Sequence, residues 1–196
     1  MSIFISNGNS KLKCNIFDLP CIKTCKPNLT CHKYCYAKKS LRYPAVGPCR
    51  ERNLKATKLK SFVKDMIQAL SKKRNNIVRI HSSGDFYSVG YIKKWFEIMR
   101  SMPDKKFYAY TKRDDLFTKK MLLDKPDNFT LIFSFDGIKD SDDIETLKIH
   151  KFDKIAVVHK TKSNCPAQLD SKIKCGVECI KCIDKKGDKV IIFKKH

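Results

Sequence analysis

Eight of the ten cysteines in this chain fall into two tight groups, and that spacing sets the chemistry to be asked about first. The first group runs Cys21-x3-Cys25-x5-Cys31-x3-Cys35 and is followed at once by Tyr36. The second is Cys165-Pro166, then Cys175-x3-Cys179-x2-Cys182. Crowded soft thiolates select zinc, copper(I) or iron–sulfur clusters. Structural zinc favours paired knuckles of Cys-x2-Cys or Cys-x4-Cys, which the first group lacks, so iron–sulfur is the expectation there. Three thiolates, Cys25, Cys31 and Cys35, would leave one iron of a [4Fe–4S] cluster open; Cys21 as a fourth would close it. For the second group a further [4Fe–4S] cluster and a structural zinc fit equally. The segment from Lys172 onward is poor in apolar residues and needs a metal to order it. Cys14 and Cys49 read as bystanders, since a free cysteine often behaves as a small buried hydrophobe.

Metal is preferred to disulfides because Met1–Lys13 lacks the charged-then-apolar order of a signal peptide, which places the chain in the cytoplasm. No run of about 18 apolar residues exists to span a membrane. Against 20 Asp and Glu stand 42 Lys and Arg, a formal charge of +22, which favours polyanions as partners and nucleic acid first. Lys72-Lys73-Arg74, Lys93-Lys94, Lys119-Lys120 and Lys194-Lys195 are more often solvated faces than specific phosphate sites.

The elements that must position the cysteines follow from periodicity. Prolines at 20, 27, 44 and 48 among the N-terminal cysteines mark a loop over 14–49, folded around something. Leu59, Phe62, Val63, Met66, Ile67 and Leu70 predict an amphipathic helix, and Ile92, Trp95, Phe96 and Met99 another. Shorter helices are expected over Leu116–Leu123 and Ile144–Ile149. Ile77–His81, Phe107–Thr111, Phe129–Phe135 and Lys154–His159 predict strands, with further ones near Ile16 and over Val190–Phe193. Strands alternating with helices imply right-handed βαβ units and a parallel sheet. The expectation is an α/β main domain over 1–160 and a Cys-rich extension over 161–196 packed on it.

The loops after those strands are informative, because open α/β folds bind ligands at the carboxyl ends of strands. They read Ser83-Gly84-Asp85-Phe86, Tyr110-Thr111-Lys112 and Ser134-Phe135-Asp136-Gly137. In that order they resemble the Gly-Gly-Glu, Thr-Asn-Gly and Ser-Leu-Asp-Gly landmarks of radical S-adenosylmethionine enzymes, with Tyr34 as the aromatic residue before the last cysteine. A closer resemblance is to the phage gene product 88 family. It is carried by Cys31–Ala37, Arg79-Ile80-His81 running into Ser83–Tyr87, Phe107–Thr111, and Cys165-Pro166-Ala167-Gln168 with the Cys175–Cys182 group.

The resemblance implies a partial (βα) barrel, a truncated radical-S-adenosylmethionine-like fold with a C-terminal metal-binding extension, in a phage-infected or mobile-element-carrying host cell. It makes Tyr36, Ser83, Gly84, Asp85, Ser134 and Asp136 cofactor-binding candidates, with Asp85 accepting from the amine of S-adenosylmethionine. It also implies a reductant such as flavodoxin or ferredoxin, and radical chemistry on nucleic acid or another polyanion. Three departures from the radical S-adenosylmethionine pattern stand against it: those enzymes usually use Cys-x3-Cys-x2-Cys where this loop is Cys25-x5-Cys31-x3-Cys35, Ser83 replaces a glycine, and Asp85 replaces a glutamate. The rival reading is a non-catalytic iron–sulfur or zinc protein that binds nucleic acid or a host protein. His81 and His159, at predicted strand ends, read as structural histidines. Tyr87, Tyr91 and Tyr110 are candidates for stacking on bases, while Trp95 belongs to the core face of its helix.

Overall fold

The computed structural model describes residues 3–27, 29–138 and 151–195. Six strands form one sheet: β1 (Asn15–Phe17), β2 (Ile77–Ile80), β3 (Lys106–Thr111), β4 (Phe129–Ile138), β5 (Lys154–His159) and β6 (Val190–Lys194). Every pairing is parallel, and the strands lie side by side in sequence order, β1 to β6. Parallel neighbours must be joined by crossovers, and the right-handed rule carries those of a sheet wound in one direction to the same face.

That face is covered by α2 (Val46–Thr57), α3 (Phe62–Ser71) and α4 (Val89–Arg100), which follow the short α1 (Tyr36–Lys39). The helix period puts Phe62, Met66 and Leu70 of α3 and Ile92, Trp95, Phe96 and Met99 of α4 inward. They meet the alternate strand residues Phe17, Val78, Ile80, Phe107, Ala109, Phe129 and Leu131 in one core. Trp95 is fully buried there, edge-on to Phe17 and Phe62. Truncating such a ring costs about 3–5 kcal/mol.

The second face of the sheet carries the intervening residues. Register sets Ile16, Arg79, Tyr108 and Thr130 in one row, and Tyr110, Ile132 and Lys154 in the next. This face is closed by segments from both ends of the chain: Leu12 and Cys14 from one, Cys182 and Ile183 from the other. The C-terminal segment thus supplies both a cover for the sheet and its sixth strand.

Both strands expected near Ile16 and Val190 are present, and β4 runs to Ile138. The helix predicted from Leu59 starts at Phe62; Leu59 lies in the preceding turn, 39% exposed. Helix α2 was hidden inside the expected N-terminal loop. Pro48 is at its third residue, in the first turn, where a missing N–H costs nothing. The helix expected over Leu116–Leu123 is split into a 3-10 turn at Asp114–Leu116 and α5 (Lys119–Leu123), which Thr118 caps through the N–H of Met121. The helix expected over Ile144–Ile149 lies outside the described residues. Among the described residues no helix is long and apolar enough to cross a membrane.

Candidate functional site

The carboxyl ends of β1 to β4 make a rim, and its polar groups hold one another. After β1, the Asp18 carboxylate accepts from the N–H (2.7 Å) and hydroxyl (2.8 Å) of Ser82 and from the N–H of Ser83 (3.0 Å). Arg50 of α2 stands 3.6 Å from it. After β2, the chain turns sharply at His81, whose φ of 64° is left-handed and unusual for a side-chain-bearing residue. Ser83 then donates to the Leu19 carbonyl at 2.9 Å. Gly84 has a φ of 82°, and a Cβ there would lie 2.6 Å from Thr24 Oγ1 and 2.8 Å from Leu19 Cβ. The glycine therefore allows the β2 loop to press on residues 19–24, the base of the cysteine loop.

Asp85 is the hub of this rim, 5% exposed. One oxygen accepts from the Thr111 hydroxyl (2.7 Å) and the Phe86 N–H (2.7 Å), the other from the Lys112 N–H (2.9 Å). Burial pushes its carboxyl up to about 6, against the pull of those hydrogen bonds. It does not cap the next helix; Ser88 does, accepting from Tyr91 N–H. The Lys112 ammonium in turn donates to the Ser134 hydroxyl at 3.2 Å and to the Ser134 and Phe135 carbonyls.

The N-terminal cysteines are hung on this rim. Cys25 ends a turn in which the Thr24 hydroxyl donates to the Pro20 carbonyl, and Cys31 lies in a 3-10 turn over Thr30–Tyr34. Asp136, at the end of β4, accepts the N–H of Thr30 with one oxygen and that of Cys31 (3.1 Å) with the other. Those bonds hold its carboxyl below the usual range, although burial acts the other way. Tyr36 donates to the Ser82 carbonyl at 2.6 Å. Cys35 acts electrostatically on Cys21, Cys25 and Cys31, and its thiol is a hydrogen-bond neighbour of Cys21. Burial, then nearby Asp85 and the other thiols, pushes Cys25 up to about 12. Burial with Asp136 pushes Cys31 up to about 11, opposed by Lys112. Cys25 and Cys31 are thus held in their neutral form at pH 7, so a metal that binds them must displace their protons.

The C-terminal cysteines lie against the second face. Cys175 exchanges backbone bonds with the N-terminal segment, its N–H to Lys11 and its carbonyl from Lys13. Gly176, with a φ of 90°, lies where a Cβ would meet the Lys13 carbonyl at 2.8 Å. Its N–H reaches the Cys179 carbonyl at 2.9 Å, and Cys182 accepts from the Tyr110 hydroxyl at 2.8 Å. Cys165 is buried, and Cys165, Cys179 and Cys182 all act on Cys175, which burial pushes up to about 11.

In the first set Cys35 acts on the other three thiols and in the second the other three act on Cys175, and the donor chemistry of each set suits zinc or an iron–sulfur cluster. Among the described residues, however, no group of three or more His, Cys, Asp or Glu side chains is arranged to hold a metal ion.

Other predicted residues fall into place as structure. His81 Nε2 bonds the Tyr91 hydroxyl at 2.9 Å, and His159 Nδ1 accepts the N–H groups of Thr161 and Lys162. Tyr91 is buried with Trp95 in the core, so it offers no ring to a base. Cys14 is buried, 3.6 Å from the Tyr108 hydroxyl, and Cys49 sits on α2. Sequence reasoning missed Asp18, Lys112 as an anchor, and Arg79. The signal for Arg79 is its place as the one charge in the apolar run Ile77–Ile80. Its guanidinium lies over Tyr110 and Tyr108, 5.2 and 5.9 Å from the ring centres, and it bears on both Cys182 and Tyr36.

The family model for gene product 88 matches residues 4–191. The Gene 88 protein of Mycobacterium phage L5 is 34% identical over 128 residues, 65% of this chain and 51% of the relative. That of Mycobacterium phage D29 is 33% identical over 114 residues, 58% of this chain and 45% of the relative. The match spans about half the length of these curated relatives. No solved structure matches. With the family model covering nearly its whole length, from β1 through the Cys175–Cys182 group into β6, the chain belongs to the gene product 88 family.

Proposed function

We propose that this chain is an iron–sulfur protein whose N-terminal loop holds a [4Fe–4S] cluster on Cys25, Cys31 and Cys35, with Cys21 beside them. The observation that carries the reading is the position of four thiols, linked electrostatically through Cys35, at the carboxyl ends of the strands, where open parallel sheets take their ligands. Strands laid side by side in sequence order are also how a partial (βα) barrel is wound, which supports the likeness to radical S-adenosylmethionine enzymes. A cluster with one iron free of cysteine supplies one-electron chemistry and an open coordination position. The chain's own residues do the positioning. Asp136 fixes the loop through two N–H groups, and the Lys112 cation favours the thiolate of Cys31. The second site, on Cys165, Cys175, Cys179 and Cys182, orders the C-terminal segment with a second cluster or a zinc ion.

A second reading, a non-catalytic metalloprotein that binds nucleic acid or a host protein, is favoured by one observation. Asp85, the expected acceptor for the amine of S-adenosylmethionine, is buried and already accepts three hydrogen bonds from the protein, which leaves one acceptor site on the carboxylate for an incoming amine. Anaerobic reconstitution with iron and sulfide, then electron paramagnetic resonance of the reduced protein with and without S-adenosylmethionine, separates the two. A cluster signal that changes on addition supports the enzyme. A signal that does not change supports the second reading, and no cluster at all overturns both iron–sulfur readings.

A further inference from the structure

The surface beside the N-terminal cysteines carries an arrangement that the cluster does not explain. Residues 30–43 hold Tyr34, Tyr36 and Tyr43, interleaved with Lys33, Lys38, Lys39 and Arg42, and contain no Asp or Glu. Tyr34, Tyr36 and Tyr43 are 56%, 66% and 54% exposed, where an aromatic ring ordinarily seeks cover. The four cations are exposed, and none has an ion pair among the described residues. Elsewhere exposed cations do find acids: Lys23 meets Glu51 and Arg100 meets Asp124.

The local fold explains why these rings are presented. The segment is three short turns in succession, over Thr30–Tyr34, Tyr36–Lys39 and Ser40–Arg42. Of the residues in those turns only Ala37 is buried. Turns of this kind rise about 1.5–2 Å per residue, so the rings from Tyr34 to Tyr43 lie within on the order of 20 Å. Tyr36 is tethered by its hydroxyl to Ser82 while its ring stays open, and the Arg42 guanidinium lies 5.0 Å over the Tyr43 ring. At the other end, Tyr34 is close enough to Asp136 and Cys31 to be influenced by both.

We infer that residues 33–43 form a binding surface for single-stranded nucleic acid, whose bases stack on Tyr34 and Tyr43 while the phosphates meet Lys33, Lys38, Lys39 and Arg42. Stacking needs an unpaired base with a free face, which a duplex does not offer, and charge complementarity supplies the rest. This reading deepens the proposed function: it names the substrate or partner class and sets it against the rim that holds Cys31.

The test is fluorescence anisotropy with labelled oligo(dT), oligo(U) and a duplex of equal length, using the full chain and a salt series, with iron content measured on each preparation. The expected result is tighter binding of the single strands than of the duplex. Tyr34→Ala and Tyr43→Ala should each weaken single-strand binding by about tenfold, the scale of one lost stack, and leave the salt slope unchanged. Tyr→Phe at the same positions should retain binding, since the ring is kept. Lys38→Gln with Lys39→Gln should weaken binding and flatten the salt slope, whereas Lys119→Gln with Lys120→Gln on α5 should change little. Equal affinity for duplex and single strand, or full affinity in both Tyr→Ala variants, overturns the inference. So does failure to bind at low salt. If iron content is normal when binding fails, the surface assignment alone is wrong; missing iron with intact binding tells against the cluster and leaves the surface standing.

Discussion

The two cysteine groups have the same number of thiols and opposite surroundings. The N-terminal set hangs on the rim of the sheet, held by one carboxylate, Asp136, and flanked by the charged Lys112 and the buried Asp85. The C-terminal set lies over the second face, with Cys165 buried, Cys182 against Tyr110, and Cys175 stitched by backbone bonds to Lys11 and Lys13. A rim site can admit a ligand, whereas a site that closes a sheet face has to stay shut. The lesson is that spacing between cysteines says what a group can bind, and the element under it says what the binding is for.

The sharpest way to break the comparison is at the C-terminal site. If its metal is structural, a Cys179→Ala change or chelation removes a contribution on the order of 10 kcal/mol to the ordering of that segment. Limited proteolysis should then cut within 165–188, before β6. Damage should reach the second face of the sheet, because Cys182 and Ile183 pack there. Cys31→Ala at the rim should leave the same digestion pattern as wild type. Cleavage within 165–188 in neither variant would mean that the C-terminal segment orders itself without metal.

A smaller effect sharpens the rim side. His81 is buried at the end of β2, and burial holds its imidazole down to about 3 from the ordinary 6.5. A depressed histidine is stable in its neutral form: the contribution is whole above 6.5 and is lost as pH falls through that value toward 3. Linkage then gives about 2 kcal/mol lost by pH 5. Asp85, with its carboxyl raised to about 6, acts the other way over the same range, so wild-type urea midpoints at pH 7 and pH 5 should differ by less than His81 alone would give. His81→Asn, a residue that tolerates a positive φ, should flatten that difference even if it lowers stability at both values. An unchanged pH slope in His81→Asn would place the acid sensitivity elsewhere.

The smallest effect is at Asp136. Its two oxygens each take a backbone N–H, and an amide can accept on only one side. Asp136→Asn should cost about 1 kcal/mol and lower iron retention at the rim, with no effect on metal at the C-terminal site. Equal metal loss from both sites would contradict the separation drawn between them.

Much of this was legible before the fold was seen. Phe62, Met66 and Leu70 announced their helix because an apolar stripe has to face a core, and Ile77–Ile80 read as a strand for the same reason. Ser83–Phe86 does follow β2, but Tyr110-Thr111 are the last residues of β3 and Ser134–Gly137 lies within β4, which runs on to Ile138. What escaped was whatever depends on partners distant in sequence. Helix α2 carries a weak apolar stripe and a proline, and its buried Arg50 and Asn53 make sense only against Asp18 and Phe4. Gly84 looked like room for a ligand but makes room for Thr24 and Leu19. Asp85 looked like a free acceptor but is tied to β3 through Thr111 and Lys112. A single sequence says which groups are polar, not which of them have already been answered.

The most direct test of the central claim is iron and sulfide content after anaerobic reconstitution of three proteins: wild type, the triple variant Cys25→Ala/Cys31→Ala/Cys35→Ala, and the triple variant Cys175→Ala/Cys179→Ala/Cys182→Ala. The rim variant should lose acid-labile sulfide and the visible charge-transfer absorbance of a [4Fe–4S] cluster, while the C-terminal variant should keep a rim cluster. A rim variant that retains wild-type iron, sulfide and absorbance would contradict that claim.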